Sequence, residues 1–98
     1  MSLDMYVRVK RLKTTYFLQV KPTDTILEVK QKLQEYCEQP PEFQRLLKQK
    51  GTSWTALDDA RRLEELEIKN DEIIALCYAE EDGSFEAVAI TPHETEAA

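Results

Sequence analysis

The stretch VKPTDTILEV, residues 20–29, joins a strand pattern to a helix pattern. Pro22 and Asp24 interrupt the apolar alternation that precedes them, which is typical of a strand end. Thr25 is followed three residues later by Glu28, the spacing of a capping box. In that motif the threonine hydroxyl accepts a hydrogen bond from the helix start, and the glutamate carboxylate accepts one from the threonine backbone. The stretch therefore predicts a helix that begins directly after Thr25.

Downstream, apolar residues recur at helical spacing. Ile26, Val29 and Leu33, followed by Tyr36 or Cys37, form one stripe, whereas the positions between them are mostly polar. Pro40 and Pro41 prevent the helix from continuing, because proline lacks the backbone N–H and clashes with the preceding turn. The pattern predicts one amphipathic helix that ends between residues 36 and 38.

Upstream, two short runs alternate with period two. In the run 5–12, Met5, Val7 and Val9 fall on one face, and the run 16–20 repeats the alternation. The polar link between them is short, so the two runs predict a β-hairpin.

Three further segments complete the order of elements. Residues 43–48 predict a strand with Leu46 and Leu47 on opposite faces, and residues 50–55, with Trp54, predict a loop. The run 73–78 is nearly all apolar, which is typical of a central strand. Residues 85–90 alternate again and predict a trailing strand. A hairpin, one helix and further strands indicate an α+β roll with the helix across one face of a mixed sheet.

Composition limits the possible functions. The chain has 98 residues, which suits one domain, and 13 Lys and Arg against 19 Asp and Glu give a net charge of −6. A duplex-binding protein needs a basic surface, so we expect no nucleic-acid partner. No apolar run approaches the roughly 18 residues of a membrane span, and the N-terminus lacks the apolar stretch of a signal peptide. We therefore expect a nuclear or cytoplasmic protein without membrane contact.

Reactive residues are few. Cys37 and Cys77 are the only cysteines, and His93 is the only histidine. Structural zinc needs four ligands at close spacing, and a nucleophile needs a neighbouring base. We expect no metal, no cofactor, no small-molecule substrate and no catalytic residue, and we interpret both cysteines as small apolar side chains.

Several strings resemble ubiquitin and its relatives. Residues 20–26 are similar to the family's hairpin-to-helix link, and Pro40-Pro41 with Gln44-Arg45-Leu46 is similar to the segment after its helix. Leu63, Leu66 and Ile68 match apolar positions before its last strand. The resemblance implies a ubiquitin-like β-grasp domain over residues 5–78, a C-terminal extension with an extra strand over 79–92 and a flexible tail over 93–98.

A narrower resemblance is to the elongin B branch of that family. Residues 82–87, Asp-Gly-Ser-Phe-Glu-Ala, with Ile90-Thr91-Pro92, resemble its Asp-Asp-Thr-Phe-Glu-Ala followed by Ile-Glu-Pro. Residues 13–17 are similar to its Lys-Thr-Thr-Ile-Phe hairpin, and residues 40–46 to its Pro-Pro-Asp-Glu-Gln-Arg-Leu. Two features depart from that branch. Its longer acidic tail is missing here, and the loop around Trp54 is unlike the corresponding loop of the branch.

The resemblance implies an adaptor rather than an enzyme. Elongin B binds elongin C, and the pair links substrate receptors to a cullin scaffold in ubiquitin ligases; it also serves in a transcription elongation complex. The implied partners are an elongin C-like protein and, through it, substrate receptors and a cullin, and the implied localisation is the nucleus and cytoplasm.

Candidate partner-binding residues fall into three groups. Phe17 lies on the predicted edge strand and points away from the core. It either contacts a partner or is a surface ring covered by its own neighbours. The outer sheet face carries a predicted apolar patch for a partner, although the trailing strand could instead fold back over it. The trailing segment itself offers an aromatic anchor for a partner. The patch comprises Leu12, Leu47, Ile74 and Leu76, and the trailing segment comprises Phe85, Val88, Ile90 and Pro92.

Two other functions remain as alternatives. A free-standing ubiquitin-like module would be read by ubiquitin receptors or the proteasome through Leu47, Ile74 and Leu76. A conjugated modifier of this family ends in two glycines, but the only glycines here are Gly51 and Gly83, so we expect no conjugation. Trp54 could contact a partner, although a cap over the core beneath its loop is the simpler interpretation.

Overall fold

The computed structural model describes residues 5–89. One sheet and one helix account for most of this range, together with a short 3-10 turn at Pro41–Phe43. The elements are strands β1 (Met5–Arg11) and β2 (Thr14–Val20), helix α1 (Ile26–Cys37), and strands β3 (Gln44–Lys50), β4 (Ser53–Ala56) and β5 (Glu72–Tyr78). Within the described range no helix combines the length and apolar content needed to cross a membrane.

The strands form a mixed sheet in the order β2-β1-β5-β3-β4. The central pair, β1 and β5, is parallel, and the other neighbours are antiparallel. The β1–β2 register pairs Met5 with Val20 and Arg11 with Thr14, which is the predicted hairpin. Because β5 lies between β1 and β3, its apolar run is a central strand, and the predicted α+β roll is confirmed.

The start and end of α1 follow the local signals. Glu28 N–H donates to Thr25 Oγ1 at 3.2 Å, and Thr25 N–H donates to Glu28 Oε1 at 2.8 Å, so both halves of the capping box are made. At the other end, Glu38 adopts a left-handed conformation with φ 61° and donates its backbone N–H to Gln34. The helix therefore ends before Pro40, as predicted.

The main core lies between the sheet and α1. It takes alternate residues from β1, β2 and β5, one residue from β3, the apolar stripe of the helix and three apolar residues from the segment between β4 and β5. Its buried members are Val7, Val9, Leu18, Val20, Ile26, Val29, Leu33, Leu46, Leu57, Leu63, Ile68, Ile74 and Leu76. This core holds the sheet rigid beneath the surfaces described below.

The predicted loop over residues 50–55 is wrong in part. Ser53–Ala56 forms β4 and pairs with β3, with Gln49 opposite Trp54. Gly51 makes this possible, because its φ of 65° lets the chain reverse tightly between the two strands.

The predicted trailing strand is also wrong over its described part. Ala79 and Phe85 form a single antiparallel bridge, and the backbone from there to Ala89 is irregular. Both edges of β5 are already occupied by β1 and β3, so no open edge remains for a strand that follows it. The segment instead turns at residues 80–83 and crosses the sheet. Ile90 and Pro92 lie outside the described residues.

Candidate protein-binding surface

The edge of the sheet at β2 has backbone groups that point outward. Tyr6 N–H donates to Asn70 Oδ1 at 3.0 Å, and Tyr6 C=O accepts from Asp71 N–H at 2.6 Å, so the backbone of Tyr6 faces the β5 side. Backbone direction alternates along a strand, so the intervening residues of β1 bond to β2.

The register then assigns the groups of β2. Val7 and Val9 bond to Leu18 and Tyr16, so the backbone N–H and C=O of Thr15 and Phe17 face away from β1. The Gln19 carbonyl, which has the same direction, accepts from Lys32 Nζ at 3.0 Å. An outward-facing row of this kind is a template for an added strand.

Phe17 is the most prominent apolar side chain on this edge. It is 66% exposed, and its ring centroid lies 6.2 Å from that of Tyr6. Met5, Gln19 and Asn70 complete a shallow depression of about 360 Å³ around the two rings. Neighbouring side chains thus leave Phe17 largely open to solvent.

Charged groups border this depression. Arg8 Nε lies 2.9 Å from Asp71 Oδ1, and its guanidinium also donates to the Asp71 carbonyl. The Tyr6 hydroxyl bonds the same carboxylate, which raises the pKa of Tyr6. Tyr6, Arg8 and Asp71 therefore form a small polar rim beside the exposed ring of Phe17.

The outer sheet face carries a second, smaller apolar cluster. Leu47, Ala75 and Cys77 are buried there, with Trp54 and Val88 packed against them. Trp54 thus packs on the outer face from β4, rather than capping the main core.

Two residues predicted for this face lie elsewhere. Ile74 and Leu76 are 0% and 2% exposed and belong to the main core, so their predicted placement on the outer face is wrong. Their neighbours Ala75 and Cys77 take the outer positions, because successive residues of a strand point to opposite faces. Leu47 does lie on the outer face, but it is only 8% exposed.

Leu12 lies at the turn between β1 and β2, with φ 53° and 46% exposure. Its backbone N–H donates to the Ala89 carbonyl at 2.7 Å. The C-terminal segment therefore reaches the first hairpin.

The C-terminal segment folds back onto its own chain. The Arg45 guanidinium lies 4.6 Å from the centroid of the Phe85 ring, and Val88 packs on the outer-face cluster. Residues 85–89 therefore follow the alternative interpretation, in which the trailing segment covers the outer sheet face. Whether Phe85 and Val88 also contact a partner stays a prediction.

Arg11 of β1 and Glu86 of this segment form a partly buried ion pair. Arg11 Nε donates to Glu86 Oε1 at 2.9 Å, Arg11 Nη2 donates to Glu86 Oε2, and Tyr78 N–H donates to Glu86 Oε1 at 2.9 Å. The bonds from Arg11 hold the pKa of Glu86 below its ordinary value, and the same pairing raises the pKa of Arg11. The guanidinium also lies 4.0 Å from the Tyr78 ring centroid, and burial raises the pKa of that tyrosine.

Chemical groups suited to catalysis are sparse in residues 5–89. Among these residues no three His, Cys, Asp or Glu side chains are grouped to hold a metal ion. Burial raises the pKa of the Cys77 thiol, which makes it a poor nucleophile at neutral pH.

Sequence reasoning missed the contacts of the extension. The pairs Arg11–Glu86 and Arg45–Phe85 join residues distant in sequence, and no local spacing indicates them. The one available signal was the string around Phe85, whose similarity to elongin B marked the extension as more than a tail.

The elements and their order define a β-grasp domain with one exposed sheet edge at β2. Residues 5–80 match the family model described as the Ubiquitin family, and the match includes all five strands and the helix. The chain belongs to the ubiquitin family. Proteins of this family are typically not enzymes.

Proposed function

We propose that this chain is a non-enzymatic adaptor of the elongin B type that pairs with an elongin C-like protein. Through that partner it would join substrate receptors to a cullin in a ubiquitin ligase, or serve a transcription elongation complex, in the nucleus and cytoplasm. Support comes from the elongin B-like strings in the first hairpin, after the helix and in the extension.

The observation that carries the proposal is the exposed β2 edge. Phe17 is 66% exposed beside outward-facing backbone groups, and an aromatic ring of this kind is a typical binding anchor. A partner strand placed along β2 would bond to Thr15 and Phe17 and would bury the Phe17 ring in the same step.

Co-expression with elongin C followed by size-exclusion chromatography tests the proposal. We expect a stable complex with the wild-type chain and at least a tenfold weaker complex with Phe17→Ala. Phe43→Ala is the matched control, because Phe43 is an aromatic residue with 48% exposure that directly precedes β3, a strand separated from β2 by β1 and β5. A wild-type chain that stays monomeric beside elongin C would count against the adaptor role.

The alternative is a module read by ubiquitin receptors through Leu47, Ile74 and Leu76. This would require a receptor to reach two core side chains and Leu47, which is only 8% exposed. Leu47→Ala separates the two functions: it should leave the elongin C complex unchanged under the adaptor proposal and abolish receptor binding under the alternative.

A further inference from the structure

The outer-face cluster is buried by the chain's own C-terminal segment. Leu47, Ala75 and Cys77 are 8%, 1% and 1% exposed although they lie on the face opposite the helix. A contiguous apolar patch on an open sheet face marks an interaction site in most soluble proteins. In this chain, the side chain packed there from outside the sheet is Val88.

Residues 79–89, which we term the cover, are fastened at three places. At the start, Ala79 N–H donates to the Phe43 carbonyl at 2.9 Å, and Glu86 N–H donates to the Tyr78 carbonyl at 3.0 Å. In the middle, Phe85 and Val88 rest on the sheet. At the end, the Ala89 carbonyl accepts from Leu12 N–H.

An ion pair fastens the cover in addition to these three places, and it is the strongest attachment. The Glu86 carboxylate takes two bonds from the Arg11 guanidinium and one from Tyr78 N–H, and the side chains of Arg11 and Glu86 are 24% and 30% exposed. A two-pronged, partly buried pair is stronger and more selective in geometry than an open surface pair.

The remaining attachments of the cover are weak. Its one described bridge, Ala79 with Phe85, lies within the cover itself and does not join it to a neighbouring strand, and Ala87 and Ala89 are exposed. The outer-face cluster is also separate from the main core, which shares none of its buried members. The cover can therefore leave the sheet while the main core stays packed, as expected of a segment with few buried contacts.

We propose that residues 79–89 are a hinged cover, latched by Arg11 and Glu86, and that release of this latch exposes the apolar side chains of the outer sheet face. In the closed state the occupant of the face is the chain's own Val88. In the open state Leu47, Ala75, Cys77 and Trp54 form a contiguous apolar surface. The proposal does not depend on the adaptor function, which uses the β2 edge.

Cys77 reports on the cover directly, because its thiol lies beneath the cover. In the 98-residue chain with Cys37→Ser, Cys77 is the only thiol, and we would compare the rate of its alkylation by a small maleimide in four variants of this chain. The four are the chain with no change in the cover, Glu86→Gln, Val88→Asp and Glu81→Gln. Glu81→Gln is the control, because it changes an exposed carboxylate in the turn of the cover.

The cover predicts at least tenfold faster alkylation in Glu86→Gln and Val88→Asp and an unchanged rate in Glu81→Gln. Far-ultraviolet circular dichroism should be the same in all four, since the sheet and helix stay folded. Equal alkylation rates in the unmodified chain and Glu86→Gln, or faster alkylation only where the circular dichroism shows a lost fold, would overturn the proposal.

A second measurement covers the case in which Val88→Asp fails to fold. The dye ANS binds exposed apolar surface, so Glu86→Gln and Arg11→Gln should both increase its fluorescence relative to Glu81→Gln. The two latch variants remove opposite halves of one ion pair, and a cover held by that pair requires them to behave alike. A response to only one of them would contradict the latch.

Discussion

Arg11 and Glu86, which are 75 positions apart in the sequence, meet as a two-pronged ion pair at the end of β1. The same carboxylate accepts from Tyr78 N–H, so one side chain ties the C-terminal segment to two strands. This pair holds the C-terminal segment on the outer sheet face. In many antiparallel sheets that face is open to solvent and carries the polar residues of the alternating pattern.

The latch has a defined pH dependence. Bonds from Arg11 lower the pKa of Glu86 in the folded chain. The contribution of the ion pair to the free energy of unfolding is therefore complete above the ordinary glutamate pKa of about 4.3, and it is lost as pH falls through the lower pKa of the folded chain. We expect carbon-detected NMR titration to place the Glu86 pKa below that ordinary value. In Arg11→Gln the pKa of Glu86 should rise towards the ordinary glutamate value, and an unchanged Glu86 titration in that variant would contradict the pairing.

The buried ammonium of Lys30 should depend on Asp59. Lys30 Nζ lies 2.6 Å from Asp59 Oδ1, and the lysine side chain is 8% exposed. Asp59→Ala leaves that charge without its carboxylate, so we expect a loss of about 1–3 kcal/mol in the free energy of unfolding by urea. Lys30→Met, which removes the charge and keeps the apolar stem, should cost less. Glu35→Ala on the exposed helix face is the control, and a similar loss there would refute the assignment.

Gln44, the first residue of β3, bonds through one side-chain amide to the helix and to the segment that follows it. Its Nε2 donates to the Lys30 carbonyl at 3.0 Å and to the Gln39 carbonyl at 2.7 Å, at 1% exposure. Gln44→Glu places a carboxylate against two carbonyl oxygens, so we expect a loss of several kcal/mol at pH 7.

The same variant should become more stable as pH falls from 7 to about 4.5, because protonation restores a donor and burial raises the pKa of the new carboxyl. Chemical unfolding at the two pH values measures this change. Gln49→Glu, at an exposed position of the same strand, should show no such gain.

Phe17 and Leu18 are neighbours with opposite roles. Phe17 is 66% exposed and Leu18 is 3% exposed in the core. Phe17→Ala should change the free energy of unfolding by about 0.5 kcal/mol or less, whereas Leu18→Ala should cost about 2–5 kcal/mol. Thermal unfolding of both variants checks this contrast, and a large loss in Phe17→Ala would show that the ring supports the fold rather than a partner.

Local features could be predicted from the sequence because their atoms are close along the chain. The capping box needs only Thr25 and Glu28, and the end of the helix needs only the missing N–H of Pro40 and Pro41. The hairpin and the opposite faces of Leu46 and Leu47 followed in the same way from period-two alternation.

The outer face could not be predicted in this way. The run 73–78 is apolar on both faces, so no polar position shows which residues turn toward the helix, and Ile74 and Leu76 were assigned to the wrong side. In β4 the difficulty is length, because the four residues Ser-Trp-Thr-Ala give too short a pattern to separate a strand from a loop.

The sequence by itself determined the helix, the hairpin, the central position of β5 and membership of the ubiquitin family, since each depends on spacing within a short stretch or on strings along the chain. Only the tertiary structure decided which face of β5 is inside, that Phe17 stays open and that residues 85–89 close over Leu47. The reason is physical: these outcomes depend on strand register and on pairs such as Arg11–Glu86, which form between residues that only folding brings together.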